Sequence, residues 1–190
     1  MNWNDGNVFF LADFDDNMEG AIVLPLTREI QKQSILKDGS IDLYINSFGG
    51  YRHLVFHLIS LVEMAKRNGV VVRTIVPDIA YSAGSILAVT GTQGERYIEK
   101  SGEHLIHYGI TGSSETTPEQ VERNYIQKQA GFKKILDHYQ KNTKLPRAEL
   151  DRLMNDDNAY IPGAKCIKWG LADKFIEKFD IGLPPASSPF

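Results

Sequence analysis

A strand turns into a helix at Pro77-Asp-Ile-Ala-Tyr-Ser82-Ala-Gly-Ser85. The preceding run, Val70-Val-Val-Arg-Thr-Ile-Val76, is rich in β-branched residues, which predicts a buried strand. The following run, Ala83-Gly-Ser-Ile-Leu-Ala-Val-Thr90, contains small and apolar residues and predicts a packed helix. A serine at such a junction can expose its hydroxyl beside helix N–H groups, which suit developing negative charge. Ser82 is therefore a candidate nucleophile, although the run is also compatible with a close-packed helix start.

Two further segments carry what a nucleophilic serine needs, which is a base and an oxyanion site. The alternating strand pattern Ile41-Asp-Leu-Tyr-Ile45 leads into Asn46-Ser-Phe-Gly49-Gly50, where paired glycines let the backbone approach a ligand closely. Downstream, Glu103-His-Leu-Ile-His107 places a histidine at the end of a short apolar strand. His104 lies three residues before His107, so its side chain should point to the opposite face of that strand. We therefore expect His107, and not His104, to serve as a base.

The composition is that of an ordinary folded protein. The 190 residues are 42% hydrophobic and 24% charged, which fits one domain with a sizeable core. A net charge of −3 gives no electrostatic reason to expect nucleic acid or an anionic membrane as a partner. The single cysteine, Cys166, excludes an internal disulfide and fits a small core position. No apolar run approaches the roughly 20 residues of a membrane span, and the N-terminus does not resemble a signal peptide, so we expect a cytoplasmic protein.

Strand and helix patterns alternate along the chain, which predicts an α/β fold with a largely parallel sheet. A first strand is predicted at Val8-Phe-Phe-Leu-Ala12. A first helix is predicted over residues 27–36, with Pro25 near its start. An amphipathic helix is predicted over residues 51–68, and a long, half-polar helix with a capping box at its start over residues 117–140.

Together these segments resemble the proteolytic subunit of the Clp protease (ClpP). The shared motifs are Ile-Asn-Ser-x-Gly-Gly at 45–50, Ser-x-Gly at 82–84, Ile-His at 106–107 and the closing Gly-Leu-Ala-Asp at 170–173. Their order and separation also agree with the family. The resemblance extends over about residues 8–176, which is nearly the whole chain.

The resemblance implies a single domain over residues 1–190 with the crotonase-like spiral of βαβ units, a protruding handle helix within 109–140, and a flexible tail over 181–190. The implied activity is that of a serine endopeptidase, a hydrolase that cleaves peptides and unfolded proteins by Ser–His acyl transfer. Neither a metal nor a cofactor is expected. His53 and His57 have a spacing that could hold a metal, but no suitably spaced third ligand follows.

Carried over residue by residue, the resemblance implies Ser82 as the nucleophile and His107 as the general base. The backbone N–H groups of Gly49 and Ala83 would form the oxyanion hole. Phe48 stands where family members have proline, so the approach to the glycine pair is expected to have a different shape.

The third member of the triad is ambiguous at this level. Counting back from the closing motif selects Asn158, whereas counting forward from the end of the long helix selects Asp157. The ungapped match to the closing motif is longer and favours Asn158. An asparagine can orient a histidine but cannot stabilise an imidazolium by charge, and Asp-to-Asn in a serine triad costs on the order of 10⁴ in rate.

The resemblance also implies a homo-oligomer of stacked heptameric rings, with an ATP-driven unfoldase as a candidate partner for ATP-dependent proteolysis. The predicted first strand begins near residue 8, and residues 1–6 are too few for a full pore loop. We therefore expect cleavage of peptides and unstructured chains rather than folded proteins. One alternative is a catalytically weak or inactive ring subunit that binds or regulates an active partner. Another is an acyl-CoA hydratase of the same fold, but such enzymes typically use glutamate acid/base residues.

Overall fold

The computed structural model describes residues 7–109, 117–156 and 159–177. The predicted tail and residues 110–116 of the predicted handle region lie outside this part of the chain. The elements in chain order are β1 (Val8–Leu11), α1 (Leu24–Gln33), β2 (Ser40–Ile45), α2 (Arg52–Arg67), β3 (Val71–Val76), β4 (Ile79–Tyr81), α3 (Ala83–Ala88), β5 (Arg96–Ile98), β6 (Glu103–Leu105), α4 (Pro118–Asn142), α5 (Arg147–Met154), β7 (Tyr160–Pro162), α6 (Gly163–Trp169) and β8 (Lys174–Phe175). Within the described ranges, no helix has both the length and the apolar character to cross a membrane.

The strands form two sheets. The larger sheet has the order β1-β2-β3-β5-β8, and every neighbouring pair in it is parallel. The smaller sheet has the order β4-β6-β7, in which β6 is parallel to β4 and antiparallel to β7. The predicted α/β fold with a largely parallel sheet is therefore confirmed.

The core lies between the larger sheet and its helices. Ile41, Leu43 and Ile45 alternate along β2, face the helices, and have no solvent-exposed surface. From α2, Val55 and Leu58 are equally inaccessible and belong to the same apolar cluster. Burying each such side chain contributes about 1.5–3 kcal/mol, so this layer fixes where β2 ends and where the glycine turn after it begins.

The first helix begins earlier than its sequence suggests. A π-helical turn at Glu19–Val23 leads directly into α1, so the helical region includes Pro25 instead of starting after it. Proline lacks an amide hydrogen and clashes with the carbonyl four residues earlier in a regular α-helix. A π-helical turn widens the helix just before Pro25 and accommodates the ring. The prediction of a helix over residues 27–36 was therefore wrong at both ends, since α1 ends at Gln33.

The three-residue strand β4 was not predicted, and it positions Ser82. β4 pairs with β6 through Ile79 and Glu103, and the Ser82 amide then donates to the carbonyl of Leu105 at 2.9 Å. This pairing places the start of α3 beside the segment that carries His107.

A buried arginine fixes the far end of α3. Arg96 is 2% exposed, and its Nη2 lies 2.6 Å from the Asp173 carboxylate. Its Nη1 donates to the carbonyls of Asn142 at 2.7 Å and Val89 at 3.3 Å, which are the ends of α4 and α3. The guanidinium beside Asp173 holds the pKa of that carboxyl below its usual value despite partial burial. The closing Gly-Leu-Ala-Asp motif therefore anchors two helices through a single side chain.

The long helix α4 starts as its sequence predicts. Thr117 Oγ1 accepts from the Gln120 amide at 3.3 Å, and Gln120 Oε1 accepts from the Thr117 amide at 3.2 Å. This reciprocal pair is a capping box, and Pro118 occupies the first turn, where its missing N–H is harmless.

Candidate active site

Ser82 lies at the junction between β4 and α3 in a backbone conformation that side chains rarely adopt. Its φ is 50° and its ψ is −116°, and within the described ranges it is the one non-glycine residue with positive φ. Strain of this kind costs about 1–3 kcal/mol and persists only where neighbouring contacts impose it. Here the amide bonds to Leu105, and the Ser82 carbonyl accepts from the Ile86 amide at 3.1 Å. The serine is thus held between β6 and the first turn of α3.

The Ser82 side chain borders a cleft that also contains His107. The cleft has a volume of about 390 Å³, and Ser82, Ala83, His107 and Gly50 are among the residues that line it. His107 is half-buried and directly follows Ile106, which has no exposed surface. Three of the predicted site residues, Ser82, Ala83 and His107, therefore meet at one surface.

A second serine–histidine pair is buried in the protein core. Ser85 Oγ is 2.9 Å from His104 Nδ1, and it accepts a hydrogen bond from the Tyr139 hydroxyl at 2.9 Å. Ser85 and His104 have no exposed surface. Burial, together with the nearby positive charge of Arg96, lowers the pKa of His104 to about 3, so the imidazole is neutral at physiological pH. His104 therefore lies on the side of the strand opposite to His107, as predicted, and substrate cannot reach this pair.

The glycine turn after β2 runs directly past Ser82. Gly49 and Gly50 have φ values of 115° and 134°, which favour glycine strongly over other residues. A Cβ at Gly49 would lie 2.7 Å from Ser82 Cβ, and a Cβ at Gly50 would collide with the backbone of Phe14. The close approach that the glycine pair predicts is therefore present.

The amide of Gly49 already donates a hydrogen bond within the turn. It donates to Ser47 Oγ at 3.0 Å, while Asp13 Oδ1 accepts from Ser47 Oγ at 3.2 Å and from the Phe48 amide at 2.7 Å. Of the two glycines in this turn, Gly50 is the one that lines the cleft. The expectation that the Gly49 N–H faces a substrate oxyanion does not fit this geometry, because that hydrogen points at a side chain inside the turn. Ala83 does line the cleft, and as the first residue of α3 it has no intrahelical acceptor for its amide.

Both candidates for the third triad member, Asp157 and Asn158, lie outside the described residues. The described residues on either side bond to the segment that carries His107. The carbonyl of Met154 accepts from the Tyr108 amide at 3.0 Å, and Tyr160 pairs with Leu105 across β7 and β6. The choice between the two candidates stays a prediction.

A cluster of three aromatic rings adjoins the cleft through Phe48. Phe48, at the position where the family has proline, lines the cleft and is 71% exposed. Its ring meets Tyr81 edge to face at 5.9 Å between centroids, and Tyr81 meets Tyr160 at 5.4 Å. Sequence reasoning did not find this cluster, because Tyr160 comes from a strand far along the chain.

The other histidine and cysteine side chains that the sequence singled out lie in different surroundings. Among the described residues, no three His, Cys, Asp or Glu side chains lie close enough together to hold a metal ion. His53 stacks on Tyr51 with 5.6 Å between ring centroids. Cys166 is buried and donates to the Ile161 carbonyl at 3.2 Å, and burial raises the pKa of its thiol to about 12. That thiol is an inert core group at neutral pH.

The chain is similar to known proteases over nearly its whole length. A family model described as Clp protease matches residues 3–179. An ATP-dependent Clp protease proteolytic subunit of Deinococcus radiodurans is 28% identical over 175 residues, which cover 92% of this chain and 81% of that protein. The subunit of the same name from Streptococcus mutans is 26% identical over 182 residues, which cover 93% of this chain and 87% of the relative. The subunit from Streptococcus sanguinis is 30% identical over 113 residues, or 60% of this chain and 55% of the relative.

Proposed function

This chain belongs to the Clp protease family, and we propose that it is a catalytically active serine endopeptidase subunit that cleaves peptides and unfolded proteins. The observation that carries the proposal is the shared cleft of Ser82 and His107, with Ser82 in a strained backbone conformation. A serine on a strained strand-to-helix turn presents its hydroxyl to solvent, which is the arrangement that acyl transfer requires.

The proposed reaction proceeds in two steps. Ser82 Oγ attacks the peptide carbonyl while His107 takes the hydroxyl proton and then passes it to the leaving amine. Water, deprotonated by the same histidine, then hydrolyses the acyl-enzyme. The amides of Ala83 and Gly50 are the donors we assign to the oxyanion, with Gly50 replacing Gly49 because the Gly49 amide is bonded inside its own turn.

The third triad member is proposed to be Asn158, with Asp157 as the alternative. We expect Asn158→Ala to lower kcat/KM for a fluorogenic peptide more than Asp157→Ala does. A residue that orients the histidine contributes strongly, since even Asp-to-Asn costs about 10⁴-fold in a serine triad. The reverse ranking of the two variants would assign the role to Asp157.

Assembly is proposed to follow the family, with stacked heptameric rings and an ATP-driven unfoldase as a candidate partner. Val121, Tyr125 and Ile126 on α4 are each more than half exposed, which supports an oligomeric contact on this helix. The cytoplasmic location is likewise part of the proposal.

The test combines three measurements on the purified chain. We expect a mass in solution of an oligomer, hydrolysis of an unstructured fluorogenic peptide, and covalent labelling of Ser82 by a fluorophosphonate. The matched control is Ser85→Ala, which removes the neighbouring serine hydroxyl and leaves Ser82 in place. An assembled oligomer with neither hydrolysis nor labelling would contradict the proposal and favour a non-catalytic subunit that binds or regulates an active partner.

A further inference from the structure

An arginine lines the cleft beside Ser82 and His107. Arg52 is half-buried there, and none of the described residues that line the cleft is an aspartate or a glutamate. Within residues 7–109, 117–156 and 159–177, Arg52 takes part in none of the ion pairs. In a partly enclosed cleft, a cation with no acidic partner among these described residues attracts an anionic group more strongly than it would in open solvent.

The surrounding fold accommodates this cation in spite of the unfavourable dipole at the start of α2. Arg52 is the first residue of α2, where the positive end of the helix dipole disfavours a cation, and the first turn contains no acidic residue. The helix dipole therefore does not account for an arginine at this position.

The long helix α4 leaves room for the guanidinium. Gly131 lies inside α4, where glycine is a poor helix former. A Cβ at that position would lie 2.8 Å from Arg52 Nη1 and 3.0 Å from Arg52 Cζ. The next residue, Phe132, places its ring centroid 6.0 Å from Arg52 Cζ, within the range of a cation–π contact. Packing against α4 thus holds the head group of Arg52 at the cleft instead of leaving it free in solvent.

We propose that Arg52 binds a carboxylate of the substrate peptide, so that the site prefers an acidic residue close to the scissile bond. This inference rests on the proposed peptidase function, because it treats the cleft at Ser82 as the place where the peptide lies. Guanidinium and carboxylate match as a planar, two-bond pair, which an amide of the same shape does not reproduce. The carboxylate can belong to an internal Asp or Glu side chain or to the C-terminus of a peptide, and the experiment separates these two sources.

Binding to Ser82→Ala, which leaves a bound peptide uncut, measures the preference directly. Three fluorescent peptides are compared by anisotropy: one with an internal Glu and an amidated C-terminus, one with Gln in place of that Glu, and the Gln peptide with a free C-terminal carboxylate. We expect the Glu peptide to bind about tenfold more tightly than its amidated Gln counterpart, as a half-exposed charge-assisted pair allows. Tighter binding of the free-carboxylate peptide instead would assign the same Arg52 site to a chain terminus.

Three additional substitutions identify the arginine responsible. Adding Arg52→Gln should reduce the Glu preference to about onefold, whereas adding Arg67→Gln, an exposed arginine at the other end of α2, should leave it at about tenfold. Gly131→Ala provides an independent perturbation that displaces the guanidinium without deleting it, and we expect an intermediate preference. Equal binding of all three peptides, or a carboxylate preference that survives Arg52→Gln, overturns the inference.

Hydrolysis of the same peptides by the protein with Ser82 intact tests the peptidase separately. Arg52-dependent binding without hydrolysis would uphold the carboxylate site and contradict the proposed function. Hydrolysis without an Arg52-dependent preference would uphold the function and overturn the carboxylate site.

Discussion

Two serine–histidine pairs lie three residues apart along the same two segments of the chain, and their surroundings are opposite. Ser82 and His107 border an open cleft. Ser85 and His104 are sealed in the core and bonded to each other and to Tyr139. The residue types are the same in both pairs, so the difference comes from the faces of α3 and of the β6 segment on which each side chain lies.

The comparison shows that burial decides what such a pair can do. In the core, desolvation keeps the pKa of His104 near 3, so this imidazole cannot cycle between protonation states at neutral pH. Its Nε2 is buried and has no partner in the described part of the chain. The outer pair, Ser82 and His107, borders a cleft, and Ser82 has a strained backbone. The inner pair has neither feature.

The largest expected effect is the difference in peptidase activity between a variant of the outer pair and a variant of the inner pair. Ser82→Ala should lower kcat for an unstructured peptide by at least about 10⁴-fold, because removing a nucleophile leaves only oxyanion and binding contributions. Ser85→Ala should keep activity within about tenfold, since its hydroxyl contacts only buried groups. The measurement is initial-rate hydrolysis at equal protein concentration. Equal losses in both variants would mean that the inner pair takes part in the chemistry.

The next effect is the acid sensitivity of the buried histidines. The folded-state pKa is about 3 for His104 and about 4 for His138, mainly through burial, against about 6.5 in an unfolded chain. Between these values and pH 6.5 the unfolded chain binds protons that the folded chain does not, so stability falls as the pH decreases through that window. Each histidine should lower the free energy of unfolding by about 2 kcal/mol between pH 7 and pH 5.

Urea unfolding of the wild type and of His104→Leu at both pH values measures this contribution. The drop between pH 7 and pH 5 should be about 2 kcal/mol smaller in His104→Leu, because one titrating group is gone. The same drop in both proteins would show that His104 takes up protons equally in the folded and unfolded states.

A smaller effect concerns the hydrogen bonds of the inner pair. Ser85→Ala leaves His104 Nδ1 and the Tyr139 hydroxyl without their shared partner, so we expect the free energy of unfolding to fall by about 2 kcal/mol. Ser60→Ala on the exposed face of α2 is the matched control and should change it by less than about 0.5 kcal/mol. Indistinguishable unfolding curves for the two variants would contradict the role of this network.

The smallest effect concerns the strain at Ser82. Glycine adopts positive φ without a Cβ clash, so Ser82→Gly should be about 1 kcal/mol more stable than Ser82→Ala. Because both variants lack the hydroxyl, their difference in thermal unfolding isolates the backbone. A less stable Ser82→Gly would mean that the turn is not strained.

Local sequence was sufficient to predict structural features that depend on one side chain and its near neighbours in the chain. The capping box at Thr117, the apolar pattern of α2 and the opposite faces of His104 and His107 were all predicted and are present. Each depends on the period of a helix or strand, which the chain expresses within a few residues.

Prediction from local sequence was insufficient where the local backbone arrangement depends on contacts or distortions that the local pattern does not encode. The amide of Gly49 was expected at the oxyanion, but it donates to Ser47 Oγ, which in turn bonds to Asp13 from an earlier turn. The start of the first helix was placed too late, because its widened turn lets the chain continue through Pro25.

By itself, the sequence determined the α/β class, the family, and the residue types available for acyl transfer, because periodicity and motif spacing are properties of consecutive residues. Only the tertiary structure decided that the segments of Ser82 and His107 form one cleft, which glycine of the pair lines it, and that Arg52 lies beside them. Those outcomes depend on the pairing of β4 with β6 and on α4 packing over α2, which join residues far apart in the chain. Burial and orientation arise only when such segments meet.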